Sequence, residues 1–305
     1  MSSHYDVLII GAGMSGLAAG IRLAHFGHRV AILEQHTLVG GLNSYYRRHG
    51  HEFEVGLHAV TNYAERAERR APLNRLLRQL RISRDDLDMR PQQRSCIRFP
   101  EMALHFTNDL AVLEAEVDRL FPDETDRFRQ FVQRVLAEDC YALDARPSPT
   151  RPILEDFIPD PLLREMILTP VMFYGNPMEE DMDFVQFCLL FRSIFLEGLW
   201  RPAGGIRRLI ELLVDRYRGA GGELHLGTAV ERLEVEGSRI ARAVCGDGEV
   251  IEADAVLSTA GGLETLRLCD PEPAEVSDWP PGMLSFVETV LILDRPLHEL
   301  GLADT

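Results

Sequence analysis

The chain opens on Asp6-Val7-Leu8-Ile9-Ile10-Gly11-Ala12-Gly13-Met14-Ser15-Gly16, in which an apolar run of strand type meets three glycines at G-x-G-x-x-G spacing. An amphipathic helix follows, and a second apolar run, Val30 to Leu33, ends on the acid Glu34. Strand, glycine turn, helix, strand and terminal acid in this order specify a dinucleotide-binding β-α-β unit.

Each position answers a physical need. Gly11 permits the tight turn off the strand. Gly13 lets the backbone approach a pyrophosphate with no Cβ in the way, and Gly16 lets the helix lie close to the strand. The helix N-terminus presents free N–H groups and a partial positive charge to the phosphates, so no basic side chain is required there. Glu34 follows Gly11 by 23 residues, the place of an acid that hydrogen-bonds a ribose hydroxyl and disfavours a 2′-phosphate. These residues alone leave NAD and FAD both open.

The formal net charge of −16 argues against nucleic acid as a partner, since phosphate-backbone binding needs a basic face. The charge is unevenly placed. From Glu65 to Arg98 there are ten arginines against five acids, about +5, which leaves about −21 for the rest. Two readings stand for this 65–98 segment: a peripheral contact with anionic lipid headgroups, or a solvated helix surface. No lysine occurs anywhere, which excludes a Schiff-base lysine. Five scattered cysteines without a C-x-x-C pair suggest neither disulfide framework nor metal site, and fit a reducing compartment. With no leader pattern ahead of the first strand and no run of membrane-span length, the expectation is a cytoplasmic protein, soluble or peripheral to a membrane.

After Gly40-Gly41, residues 43–48 and 51–55 read as two strands joined at His49-Gly50. His49 and His51 make an improbable metal pair. Helices dominate from 62 to 196: leucines at 73, 76, 77 and 80 give a helical stripe over 72–81, and Asp109 caps a helix over 109–120. Residues 95–99 and 102–106 read as a hairpin. The most apolar part is 161–200, whose second helix is apolar on nearly every face and is either core or the lining of a tunnel for a long apolar ligand. A helix over 206–217, a strand over 223–226, a small sheet of 230–235, 239–244 and 250–252, and a separate buried strand over 255–258 complete the pattern. Residues 285–293 read as one long strand.

The words Leu33-Glu34-Gln35-His36, Gly40-Gly41, Phe53-Glu54-Val55-Gly56-Leu57-His58 and Arg201-Pro202-Ala203-Gly204-Gly205 carry a resemblance. The chain resembles the flavoprotein superfamily that includes amine oxidases, and within it the FAD-dependent phytoene desaturase, carotenoid isomerase and retinol saturase type. The resemblance implies FAD as cofactor and an α/β fold: a Rossmann-like FAD-binding domain, with a parallel sheet and a small antiparallel sheet, plus an inserted, mainly helical substrate domain. The expected boundaries are 1–60 and 200–275 for the two parts of the FAD-binding domain, 61–199 for the substrate domain, and 276–305 for the start of a substrate-domain sheet.

By resemblance, the cofactor-binding residues are Gly11, Gly13, Met14, Ser15, Gly16, Glu34, Gln35, Gly40, Gly41, Leu42, Asn43, Gly56, Leu57, His58, Val230, Thr259 and Ala260. The segment matching Glu54 to His58 would lie beside the isoalloxazine, which makes His58 the candidate catalytic residue; no metal is expected. Much of the superfamily has arginine after the Gly-Gly doublet, whereas Leu42-Asn43 follows here, so one phosphate contact must come from elsewhere. The family's further C-terminal part, with another glycine-rich word, is not in these 305 residues. That implies a fragment, an early stop, or half of a split enzyme whose missing C-terminal segment is supplied in trans.

The implied activity is hydride transfer between flavin N5 and a hydrophobic isoprenoid or polyene substrate: desaturation, saturation or isomerisation. The absence of lysine makes amine oxidation the poorer guess. Two alternatives are an NAD-dependent dehydrogenase, which leaves Gly40-Gly41 and the 54–58 word unexplained, and a non-enzymatic prenyl-lipid carrier of the Rab GDP-dissociation-inhibitor type, which has no need of a phosphate cradle.

Overall fold

A computed structural model of the chain describes residues 3–56, 59–100, 102–142, 146–174, 180–274, 276 and 287–300. The chain divides into two compact units, one of residues 1–59, 66–90 and 201–282, the other of 60–65, 91–200 and 283–305.

The first unit is organised by β1 (Ser3–Ile10), α1 (Met14–His25) and β2 (Val30–Glu34). β1 and β2 pair in parallel, with Val7 to Ile10 opposite Val30 to Leu33. Both strands are apolar on both faces because both faces are covered, and Leu8, Ile9, Ala31 and Ile32 are fully buried. The sheet has seven strands in the order 269–270, 230–236, 239–245, 250–258, β1, β2, 223–226. The expected fold class is borne out, with one revision. Residues 250–252 and 255–258 are a single strand, Val250–Ser258, and the antiparallel and parallel parts are one sheet. Its first residues pair antiparallel with Arg242–Val244, while Ile251 to Ser258 run parallel to β1. The polar Glu252-Ala253-Asp254 reads as an interruption, yet a strand with one solvated face tolerates it.

Tyr217 locks the helix Arg207–Gly219 onto this sheet: its buried hydroxyl donates to the carbonyls of Val30 (2.9 Å) and Glu223 (3.0 Å). Gly20 of α1 faces the same ring, 2.8 Å from where its Cβ would stand. Also in this unit are the hairpin of β3 (Tyr45–Arg48) and β4 (His51–Glu54), turned at His49 and Gly50 with positive φ, and α2 (Pro72–Leu80). The structure moves residues 66–90 out of the expected helical insertion. The buried stripe Leu77 and Leu80 lies on this unit, and Arg22 of α1 donates to the Gln79 carbonyl at 3.1 Å.

The second unit is mainly helical. Its helices are Leu110–Leu120, Thr125–Ala137, Thr150–Phe157, Pro161–Met172 and Phe184–Phe191, the last continuing as a π-helix over Arg192–Leu196. Asp109, Asp160 and Asp183 cap three of them; Asp160, for example, accepts the Leu162 and Leu163 amides at 2.9 Å. Ser95–Phe99 and Met102–Phe106 form the expected hairpin. The apolar helix 184–196 packs into the core of this unit: Phe131, Phe187, Phe191, Phe195 and Phe106 meet in tilted and edge-to-face contacts with centroids 4.9–5.9 Å apart.

Of the strand expected over 285–293, residues 285 and 286 lie outside the described residues and the described part forms no strand. Residues 287–293 have no regular structure, and Val287 is 96% exposed. Alternating apolar residues make a strand only against a partner strand, and among the described residues none lies beside them.

Candidate cofactor-binding cleft

The carboxyl ends of β1 and β2 open into a cleft of about 820 Å³ in the first unit. Gly11 turns off β1 with φ +98°, and its N–H donates to the Leu33 carbonyl at 2.8 Å. Thr259, directly after Ser258, closes over this turn. Its amide and hydroxyl both donate to the Ile10 carbonyl, at 2.9 and 3.0 Å, and a Cβ on Gly11 would stand 2.7 Å from its Oγ1.

The other two glycines differ in kind. A Cβ on Gly16 would overlap the Gly11 carbonyl oxygen, so this glycine is structural and lies behind the cleft. A Cβ on Gly13 would meet nothing within 4 Å, because the residue faces the open cleft. Gly13 is also the N-cap of α1, a helix with no side-chain cap and no acid in its first turn. Its positive end is thus left to whatever fills the cleft.

Glu34 is 6% exposed at the end of β2. One carboxylate oxygen accepts the Ala12 amide at 2.8 Å and the other the His36 amide at 2.9 Å. The acid therefore braces the glycine turn, and each oxygen keeps a lone pair for a hydroxyl donor. The second glycine doublet docks on the first: Gly40 N–H donates to the Ala12 carbonyl at 2.9 Å, Gly13 and Gly40 pair as an isolated parallel bridge, and Gly41, at φ +56°, would bring a Cβ 3.4 Å from the Gly13 Cα.

A second junction joins words far apart in sequence. Val55 N–H donates to the Ser44 carbonyl at 2.9 Å, and a Cβ on Gly56 would overlap the Leu42 carbonyl. Glu54 accepts the Ile206 amide at 2.8 Å and Arg201 Nη2 at 2.7 Å, and Gly205, at φ +82°, has no room for a Cβ against that carboxylate.

Of the residues expected to hold the cofactor, Gly11, Gly13, Met14, Ser15, Glu34, Gln35, Gly40, Gly41, Leu42, Asn43, Val230, Thr259 and Ala260 line one cleft. Gly16 supports it from behind and Gly56 packs on the Leu42 backbone. Leu57 and His58 lie outside the described residues. Sequence reasoning missed Ile10, Leu33, His36, Thr228, Gly261, Glu264 and Leu268, which also line the cleft. Two glycines could have signalled part of this set: Gly227 (φ +67°) turns the chain so that the Thr228 amide reaches the Glu34 carbonyl at 2.8 Å, and Gly261 (φ +106°) follows Thr259-Ala260. Leu42 is 83% exposed at the rim, where much of the superfamily has arginine.

The donor set fits FAD. The open face of Gly13 and the uncapped end of α1 suit a pyrophosphate, and Glu34 suits a ribose.

Residues 14–285 match the flavin-containing amine oxidoreductase family. The lycopene-forming phytoene desaturase of Pseudescherichia vulneris is 27% identical over 285 residues, which cover 85% of this chain and 56% of that protein. The chloroplastic prolycopene isomerase of Arabidopsis thaliana is 22% identical over 301 residues, covering 86% of this chain and 49% of that protein. The chain therefore spans about half the length of these relatives. The crystal structure of an oxidoreductase from Methanosarcina mazei superposes with a TM-score of 0.68 at 19% identity, over 90% of this chain and 63% of that one. The glycine cradle, the docked Gly40-Gly41 doublet and the family match over residues 14–285 together show that the chain belongs to the flavin-containing amine oxidoreductase family, whose members are FAD-dependent oxidoreductases.

Proposed function

We propose that this chain is the FAD-binding part of an oxidoreductase acting on a carotenoid-type polyene or a related isoprenoid, by desaturation, saturation or isomerisation. The observation that carries the reading is the Gly13 face: an open cradle at an uncapped helix end, bounded by Glu34 and Gly40-Gly41, in a chain similar to a phytoene desaturase and a prolycopene isomerase. When bound, FAD supplies the hydride acceptor or donor; the protein supplies position and exclusion of water.

In this reading Gly11, Gly13, Met14 and Ser15 take the pyrophosphate, and Glu34 and Gln35 take the adenosine ribose. Val230, Thr259 and Ala260 bound the dinucleotide on the side of the 250–258 strand. Glu54 fixes the start of the 54–58 word by its two bonds, and by resemblance Gly56, Leu57 and His58 are assigned to the ring. Among the described residues no helix is long and apolar enough to cross a membrane. A water-insoluble substrate would then be met at a lipid surface, the partner proposed for the arginine-rich segment. A C-terminal segment supplied in trans is the other partner proposed.

The test is reconstitution of the purified chain with FAD, then incubation with phytoene or a poly-cis carotene together with the complete protein. Retained flavin absorbance and a change in the polyene chromophore support the reading. A complete protein that holds FAD and leaves every polyene unaltered overturns it.

A further inference from the structure

Among the described residues that line the cleft, two carry carboxylates, Glu34 and Glu264. Glu34 is engaged by the Ala12 and His36 amides. Glu264 is exposed and has no hydrogen-bond or ion-pair partner among the described residues.

The place of Glu264 is fixed from both ends of its helix, Gly262–Leu268, which follows the strand Val250–Ser258 after Thr259, Ala260 and Gly261. At the start, the Thr265 hydroxyl donates to the Gly261 carbonyl at 2.5 Å and lies 2.6 Å from the Ser258 hydroxyl. At the end, Cys269 and Asp270 pair in parallel with Leu233 and Glu234. Leu268, one helical turn from Glu264, packs together with Val230 against the core around Leu233. Glu264, Leu268 and Val230 thus belong to the side of the cleft built on the strand Val230–Glu236, whereas Gly11 and Gly13 belong to β1 and α1. Gly261, at φ +106°, lets the acid lean back: a Cβ there would stand 2.2 Å from Glu264 Oε2 and 3.1 Å from its Cδ. The carboxylate covers this glycine as the acid of a capping box would, yet bonds no amide there. It stands at the cleft as an acceptor without a donor.

We infer, resting on the FAD reading above, that Glu264 selects the base: its carboxylate accepts a hydrogen bond from the exocyclic amino group of adenine, whose ring lies against Leu268 and Val230. FAD has few other donors for it. The pyrophosphate offers none and repels a carboxylate, the adenosine ribose falls to Glu34, and the ribitol and flavin lie across the pyrophosphate from the base. A carboxylate at this point also works against hypoxanthine or guanine, which present a carbonyl oxygen where adenine presents its amino group.

The full chain is titrated calorimetrically with FAD and with its hypoxanthine analogue, in which a carbonyl replaces the adenine amino group, beside Glu264→Ala and Glu264→Gln. The position is exposed, and thermal melting checks that both variants fold. The wild type is expected to bind FAD at least about tenfold more tightly than the analogue. Glu264→Ala should weaken FAD about tenfold and leave the analogue as it was or tighter, so that the preference narrows at least about tenfold. Glu264→Gln, whose amide can donate to the carbonyl, should bind the analogue more tightly than the wild type does. Equal wild-type affinity for the two dinucleotides overturns the inference, as does a preference unchanged in both variants. So does a parallel loss of both ligands in Glu264→Ala, which would mark a ribose contact, or a parallel gain, which would place the carboxylate against phosphate. These results leave the FAD reading standing; a wild-type chain that holds neither dinucleotide overturns that reading and this inference with it.

Discussion

Glu54 and Arg201 stand 147 residues apart in sequence and are joined by a 2.7 Å ion pair in which the carboxylate is largely buried and the guanidinium half exposed. The same carboxylate accepts the Ile206 amide, so one side chain fastens the end of the β3–β4 hairpin to the turn that enters the helix Arg207–Gly219. Glu54→Ala should cost about 1–3 kcal/mol, because it strands a buried backbone donor. Arg201→Ala should cost at most about 1 kcal/mol, as expected of an exposed partner. Chemical denaturation of both variants decides the matter, and equal losses would mean that the ion pair rather than the amide bond holds the junction.

Gly13 and Gly16 separate binding from folding. Gly16→Ala should lower stability by about 1–3 kcal/mol or more, since its Cβ overlaps the Gly11 carbonyl. Gly13→Ala should melt with the wild type and yet bind FAD at least about tenfold more weakly, its methyl group standing where the backbone meets phosphate. Paired thermal melts and FAD titrations test both halves.

Leu42 offers the opposite change. It lies exposed at the cleft rim beside Gly41, and Leu42→Arg is expected to tighten FAD about tenfold through one added charge-assisted phosphate bond. Flavin fluorescence quenching reads the affinity, and an unchanged or weaker affinity refutes the assignment of this rim to the pyrophosphate.

In the helical unit, Glu116 is held at a pKa of about 2, chiefly by its hydrogen bonds from Arg119, with the His105 side chain and amide adding to it against the cost of burial. A carboxyl depressed in the folded state stabilises above its unfolded pKa of about 4.5, and that stability disappears as pH falls towards 2. The shift is worth at most about 3 kcal/mol, reduced by the exposure of Arg119. Glu116→Gln should therefore be less stable at neutral pH and show a shallower acid limb between pH 4.5 and 2 in urea titrations.

The parts legible in sequence were those whose causes are local. The glycine turn, Glu34 and the cap at Asp109 depend on backbone conformation and on neighbours within a few residues, and they stand where the residues put them. The clamp of Glu54 by Arg201, the docking of Gly40 on Gly13 and the closure of Thr259 over Gly11 depend on residues brought together by the sheet, and no spacing announces them. Three expectations failed for the same reason. The 250–258 strand looked divided because its solvated middle is polar; α2 looked like part of the helical insertion because its contact with α1, Arg22 to Gln79, spans 57 residues; and the described 287–293 looked like part of a strand because an apolar pattern does not say whether a neighbour is present.

Because β1 lies between β2 and the strand Val250–Ser258, β1 acquires its second neighbour only after the roughly 240 residues that separate the two strands have also left the ribosome. Until then β1 and its glycine turn have one edge unpaired and no Thr259 above them, while the helical unit, local in its contacts, can already have condensed. The order of synthesis is thus the reverse of the order of completion. The nucleotide cradle begins first and closes late, and a nascent β1 edge is the place where a chaperone or a wrong strand would first take hold.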